Sequence, residues 1–155
     1  MTATFSPDRV YRYALWRELE FFYERQVMFI GLNPSTADET NDDPTVRRCI
    51  RFAKTWGFSR MCMTNIFAFR ATDPSVMLAA ADPVGPENDK FLRECADRSH
   101  LIVAAWGNHG GHLYRDQQVL KLIPKLQCFG KTKSGNPKHP LYLRKDSLLQ
   151  ALLYQ

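Results

Sequence analysis

No apolar run in this sequence approaches the roughly 20 residues that a membrane-spanning helix needs. The first residues, "MTATFSPDRVYRYALWRELE", have no apolar segment behind a basic start, so no secretory signal is expected and the cytoplasm is the expected compartment. Cysteine is sparse and scattered. Cys49, Cys62, Cys95 and Cys128 form no C-x-x-C pair, so neither a thiol-redox motif nor a metal knuckle is expected, and each lies in an apolar stretch as a buried, reduced thiol would. Repeats, low-complexity tracts and linker-like stretches are also missing. With 155 residues, these absences point to one domain spanning 1–155.

One long stretch contains no acidic residue. From Lys121 to Lys145 stand seven basic side chains, and the net charge of the chain is +5. Such a stretch is either a solvated basic surface or a face that contacts phosphates.

Four short, nearly continuous apolar runs read as strands covered on both faces: Val27–Gly31, Met61–Asn65, Leu101–Ala105 and Leu126–Phe129. Between them lie helical patterns. In "PTVRRCIRFAKTWG", Val46, Cys49, Ile50 and Ala53 recur at helical spacing, with Arg47, Arg48, Arg51 and Lys54 on the other face. Asp43 is placed to cap this helix, Pro44 suits its first turn and Gly57 follows its end. Further helices are expected from Pro86 through "ENDKFLRECADR", over His112–Ile123, and over Asp146–Leu153. The segment "RVYRYALWRELEFF" fits either an edge hairpin or a helix. Alternating strands and helices predict an α/β fold of three layers, α/β/α, with a central, mostly parallel four-stranded sheet.

Ligands of such sheets bind outside the carboxyl ends of the strands. The segments that follow the four runs are "GLNPSTAD", "TNIFAFRATDP", "WGNHGG" and "GKTKSGNPKHPLYL", all rich in amides, Gly, Pro, His or aromatics. Pro34 fixes a tight turn and pushes Asn33 out of the helical region, so Asn33 either orients a water or hydroxyl or closes an Asx turn. Asn65 offers donors and an acceptor for a base edge, or serves its neighbouring backbone. Arg70 faces a phosphate or solvent, and Trp106 stacks on a ligand or packs. His139, held before Pro140, is a candidate electrophile or acid, or a surface histidine. His109 and His112 lack a third partner, so no metal site is expected. Of the acidic group Asp38, Glu39, Asp42 and Asp43, helix capping by Asp43 is the better reading over acid–base or cation chemistry.

The segments "YRYALWREL", "FIGLNPSTAD", "NDDPTVRRC", "TNIFAFRATDP", "DPVGPEND", "AAWG" and "GNPKHPLYL" together resemble the bacterial and phage family called domain of unknown function 1643, from about Tyr11 to Leu143. More distantly, Gly31-Leu32-Asn33-Pro34, Thr64-Asn65 with Arg70, Trp106-Gly107 and His139-Pro140 resemble motifs of the uracil-DNA glycosylase superfamily. That resemblance implies a glycosylase-like domain that hydrolyses the N-glycosylic bond of a flipped, modified base, without cofactor or metal. In it Asn33 positions the attacking water and His139 stabilises charge on the departing base. Pro34, Ser35, Asn65, Phe67, Arg70, Trp106 and Tyr142 bind substrate. Lys131, Lys133, Lys138 and Arg144 hold the nucleic-acid backbone, DNA favoured over RNA. Two departures stand out: position 33 is not an aspartate, and residues 139–143 read "HPLYL" without the serine of the "HPSP" form. Two other readings remain open, a non-catalytic module that binds nucleic acid or a modified base, and a hydrolase of small nucleotides or metabolites.

Overall fold

The computed structural model describes residues 2–152. The chain runs β1 (Thr2–Phe5), β2 (Arg12–Glu18), β3 (Gln26–Gly31), α1 (Pro44–Thr55), β4 (Arg60–Asn65), α2 (Pro74–Ala79), α3 (Asn88–Asp97), β5 (Leu101–Ala104), a 3₁₀ segment (Asn108–Tyr114), α4 (Arg115–Leu122), β6 (Gln127–Cys128) and β7 (Gln150–Ala151). Among the described residues no helix is long and apolar enough to cross a membrane.

The four expected apolar runs are β3, β4, β5 and β6, and they pair parallel in the order β4-β3-β5-β6. The sheet itself is larger than expected. Among the described residues it is a mixed sheet of seven strands in the order β1-β2-β4-β3-β5-β6-β7. Its outer pairings, β1 with β2, β2 with β4, and β6 with β7, are antiparallel, so the expectation of a mostly parallel four-stranded sheet is corrected. The added strands have local causes. Pro7 and Asp8 build a turn in which the Asp8 carboxylate accepts from Ser6 Oγ and the Val10 amide, and this folds β1 back on β2. The ambiguous segment around Tyr11–Leu19 is therefore strand, and it lies inside the sheet. At the far edge, the helix expected over Asp146–Leu153 is absent up to Leu152; its last residue lies outside the described residues. There Leu152 is buried and donates its amide to Leu126 O, covering the open edge of β6.

Two helix expectations also shift. Helix α4 begins only at Arg115, because the glycine-rich stretch before it forms a kinked 3₁₀ segment with Leu113 and Tyr114 in left-handed conformation. The short helix α2 has no counterpart among the expected elements; Asp73 caps it by accepting from the Ser75 amide. Helix α1 matches its expected signals: Asp43 Oδ1 accepts from the Val46 amide at 2.8 Å, and Pro44 opens the first turn.

Helix α1 covers one face of the sheet, where Val46, Cys49, Phe52 and Ala53 pack with Val27, Phe29, Met61 and Met63. On the other face Met77 of α2, Leu92 and Cys95 of α3 and Val119 of α4 pack with Met28, Ile30 and Cys62. All four cysteines are buried and unbridged.

A β-bulge interrupts this alternation in β2. Thr4 faces Ala14 but Phe5 faces Arg12, so Tyr13 is an extra residue on β2. Leu15 lies in the cluster under α1 and Ala14 in the opposite one. Tyr13 stacks on Phe91 of α3 at 5.1 Å. Arg12 is thereby turned to the α1 side, where strict alternation places Tyr13.

Phe52 is the hinge of the α1 packing, with its ring 5.4 Å from Trp56 and 4.6 Å from Phe129. Phe52→Ala is expected to lower the unfolding free energy by about 3–5 kcal/mol, read as a lower urea midpoint at an unchanged slope.

Candidate functional site

The loops that follow the four parallel strands gather at one end of the sheet. They are tied in pairs. Between the first two loops, Ala71 donates its amide to Pro34 O, and the Asn33 amide group donates to Ala71 O at 2.8 Å and Pro34 O at 3.2 Å. Ser35 Oγ reaches Thr72 Oγ1 at 3.2 Å. Between the last two loops, the Gly107 amide donates to Pro137 O, and Asn108 Oδ1 accepts from Thr132 Oγ1 and Asn136 Nδ2. A cleft of about 660 Å³ lies between these pairs, a volume suited to a small organic ligand.

Asn33, Pro34, Ser35, Asn65, Trp106, His139 and Tyr142 all line this cleft. Tyr142 is almost wholly exposed and stands at the rim. Phe67 and Arg70 are not among its walls. Phe67 is fully buried, its ring 5.7 Å from that of His112. Arg70 turns the other way, donating to Arg9 O, with its guanidinium 4.8 Å from the centre of the Phe5 ring. Both follow β4, and the loop turns them away from the strand end.

Asn33 spends both amide hydrogens on carbonyls, which leaves Oδ1 as its remaining hydrogen-bonding atom. Asn65 is 2% exposed and its Nδ2 has no partner. Gly31, its neighbour across the parallel pair, makes room for it: a Cβ on Gly31 would stand 2.7 Å from Asn65 Oδ1. Trp106 is buried beneath Gly110, where a Cβ would collide with the indole ring, so glycine is required there too.

His139 accepts from the Leu141 amide through Nδ1 at 3.2 Å. In the neutral ring the proton then sits on Nε2, which makes that atom a donor. His139 is exposed at the cleft mouth, and the partial shielding of its ring from water by the cleft wall lowers its pKa, with the Asp43 charge opposing. The imidazole is therefore neutral at pH 7, and its stability cost appears only as pH falls below the ordinary histidine range, where the unfolded chain takes up a proton more readily.

Two further wall residues escaped the sequence reading as site residues. Asp43 is buried and lines the cleft while it caps α1. Arg12 is 2% exposed, donates from Nη1 to Ala37 O at 3.0 Å, and leaves Nε buried without a partner. Burial lowers its pKa to about 10, against the pull of Asp43, so it stays a cation at neutral pH. The only signal for Arg12 is a bulge that alternation does not foretell.

The acidic group disperses into separate structural tasks. Asp38 accepts from the Thr40 and Asn41 amides, Glu39 pairs with Arg9, Asp42 pairs with Arg17, and Asp43 caps α1. Among the described residues no group of three His, Cys, Asp or Glu is placed to hold a metal ion.

The basic residues expected to hold a backbone lie in the loop after β6, outside the cleft wall. Lys133 and Lys138 are exposed, Lys131 forms a bridge with Pro137, and Arg144 is paired with Asp146. Another basic surface lies closer. Arg47, Arg48 and Arg51 of α1 have no carboxylate within 4.0 Å among the described residues, and they line a groove of about 480 Å³. That groove shares Pro44 and Leu141 with the cleft.

A family model described as "Protein of unknown function (DUF1643)" matches residues 12–141, and the chain belongs to that family. No curated protein and no solved structure matches it.

The His139 environment is open to a direct check. An NMR titration is expected to give His139 a pKa below the ordinary 6.5, and Asp43→Asn to lower it further, because the variant removes the charge that favours the imidazolium.

Proposed function

We propose that this member of the DUF1643 family is a base-processing enzyme of the glycosylase type, acting on a base held in the cleft at the strand ends. The observation that carries this reading is one of convergence. Asn33, Asn65 and His139, from three loops far apart in the chain, line one cleft at the carboxyl ends of parallel strands. The resemblance of the short motifs around these three positions to those of the uracil-DNA glycosylase superfamily supports it.

In this reading the Nδ2 of Asn65 donates to an acceptor on the base edge. His139 donates from Nε2 to a base carbonyl and stabilises the charge that grows there as the bond between base and sugar C1′ breaks. Water supplies the hydroxyl that joins C1′, and its proton goes to the departing base. The free Oδ1 of Asn33 orients that water without taking the proton. A base within a duplex has to be flipped out to reach the cleft. The unpaired arginines of α1 then provide a phosphate-binding approach alongside it.

A second reading is favoured by Asn33 itself. An amide is no base, and both its hydrogens are committed to joining loops, as in a module that binds a base without cleaving it.

Release of free base from oligonucleotides that carry a panel of modified pyrimidines tests the enzyme reading. Asn33→Ala and His139→Ala are each expected to reduce release by about 10²-fold or more. Salt-dependent oligonucleotide binding with no product would instead select the module.

A further inference from the structure

Three arginines of this chain are buried: Arg12, Arg17 and Arg115. Two of them are fully engaged. Arg17 Nε sits 2.8 Å from Asp42, and its other nitrogens donate to Trp16 O, Asp38 O and Asn41 O. Arg115 Nη2 lies 2.6 Å from Asp89, its Nε donates to Ile66 O, and its Nη1 to Gln118 Oε1.

Arg12 differs. It is as deeply buried as the others, yet no carboxylate of the described residues lies within 4.0 Å of it, and a single backbone carbonyl accepts from it. A guanidinium carries five N–H donors. A buried cation left this short of partners is costly. Arg12 nevertheless faces the cleft, turned there by the bulge at Tyr13. In the same cleft the buried Nδ2 of Asn65 also lacks an acceptor. Asp43 lies close enough to favour the charged form of Arg12 and caps α1 with Oδ1, so it tempers the positive field without pairing with it. The cleft thus presents three buried donors without acceptors, on Arg12, Asn65 and Trp106, together with one carboxylate committed to a cap and a neutral histidine, while the charges of Arg17 and Arg70 add to the positive field at Arg12.

We propose that the cleft takes an anionic ligand, whose phosphate or carboxylate oxygens are held by the Arg12 guanidinium. The proposal rests on the cleft being the ligand site of the preceding reading, and it narrows the ligand class: the base arrives with an oxyanion that lies inside the cleft. Arg12 is the specificity-determining residue for that group. The unpaired Nδ2 of Asn65 marks the same ligand as rich in acceptors. The oxyanion belongs either to a nucleotide phosphate or to an acidic substituent on the ring.

Calorimetry on the full chain distinguishes these sources. The probes are the four 2′-deoxynucleoside 5′-monophosphates, their neutral nucleosides, inorganic phosphate, and orotate as a planar ring bearing a carboxylate. At least one anionic probe is expected to bind about tenfold or more tightly than the neutral nucleosides, the size of a charge-assisted hydrogen bond. A preference for a monophosphate assigns the oxyanion to phosphate, and a preference for orotate assigns it to the ring; either supports the proposal. Arg12→Met is expected to abolish the preference and Arg12→Lys to retain part of it. Asp43→Asn keeps a capping side chain and serves where Arg12 variants fail to fold; it is expected to tighten anion binding several-fold. Equal binding of neutral and anionic probes overturns the proposal, as does no binding of any probe, an unchanged preference in Arg12→Met, or unchanged affinity in Asp43→Asn. Anion preference without any base release would leave this proposal standing and remove glycosidic cleavage.

Discussion

The parallel pairing of β3 with both β4 and β5 is the constraint on which the rest of this structure depends. It places Gly31 beside Asn65 and lets the two loops leave the sheet side by side. Parallel strands need covered faces and long crossovers, and α1 supplies one such cover with its Phe52-centred packing. Because every crossover returns to the same end, each loop after a parallel strand arrives at a common rim. A side chain at position 33 then meets one at position 139 without any local sequence relation between them.

Burial and hydrogen bonding divide the cleft walls into two kinds. Asn33, Asn108 and the Gly107–Pro137 contact hold the loops, and their polar atoms are largely satisfied. Arg12 and Asn65 are equally buried but retain donors without acceptors. In a folded interior such donors are rare, because each sacrifices its hydrogen bonds to water. His139 belongs to neither group: its Nδ1 is fixed by the Leu141 amide while Nε2 remains free to donate. A framework that is satisfied and a floor that is not together leave the open hydrogen-bonding capacity of the cleft almost entirely on donors.

Much of this was readable from residue order. The four parallel strands are continuous apolar runs, and continuity survives any change of face. Asp43-Pro44 announces a helix start in any context. Asn33-Pro34 and His139-Pro140 mark rigid turns, and both stand at the cleft. What escaped depended on long-range geometry. Arg12 is displaced by a single extra residue in β2, which no periodic reading anticipates. The stretch 146–152 has helical spacing, yet the open edge of β6 draws Gln150 and Ala151 into a strand. Phe67 and Arg70 sit close to Asn65 in sequence but leave the strand end in other directions. The arginines of α1 read as the solvated face of an amphipathic helix, and only their groove beside the cleft distinguishes them.

The two sides of the cleft are not anchored alike. The side bearing Arg12, Asn33 and Asn65 grows from strands of six and seven residues in the middle of the sheet, whereas His139 hangs from β6 and β7, of two residues each. Residues 127–151 are therefore held to the sheet by fewer strand pairings than the central strands are. A molecule that bridges both sides acts as a clasp. Bound across the cleft, it would add its contacts to the weaker of the two anchorages, and so would stabilise the loop that carries His139 more than the wall that carries Asn33.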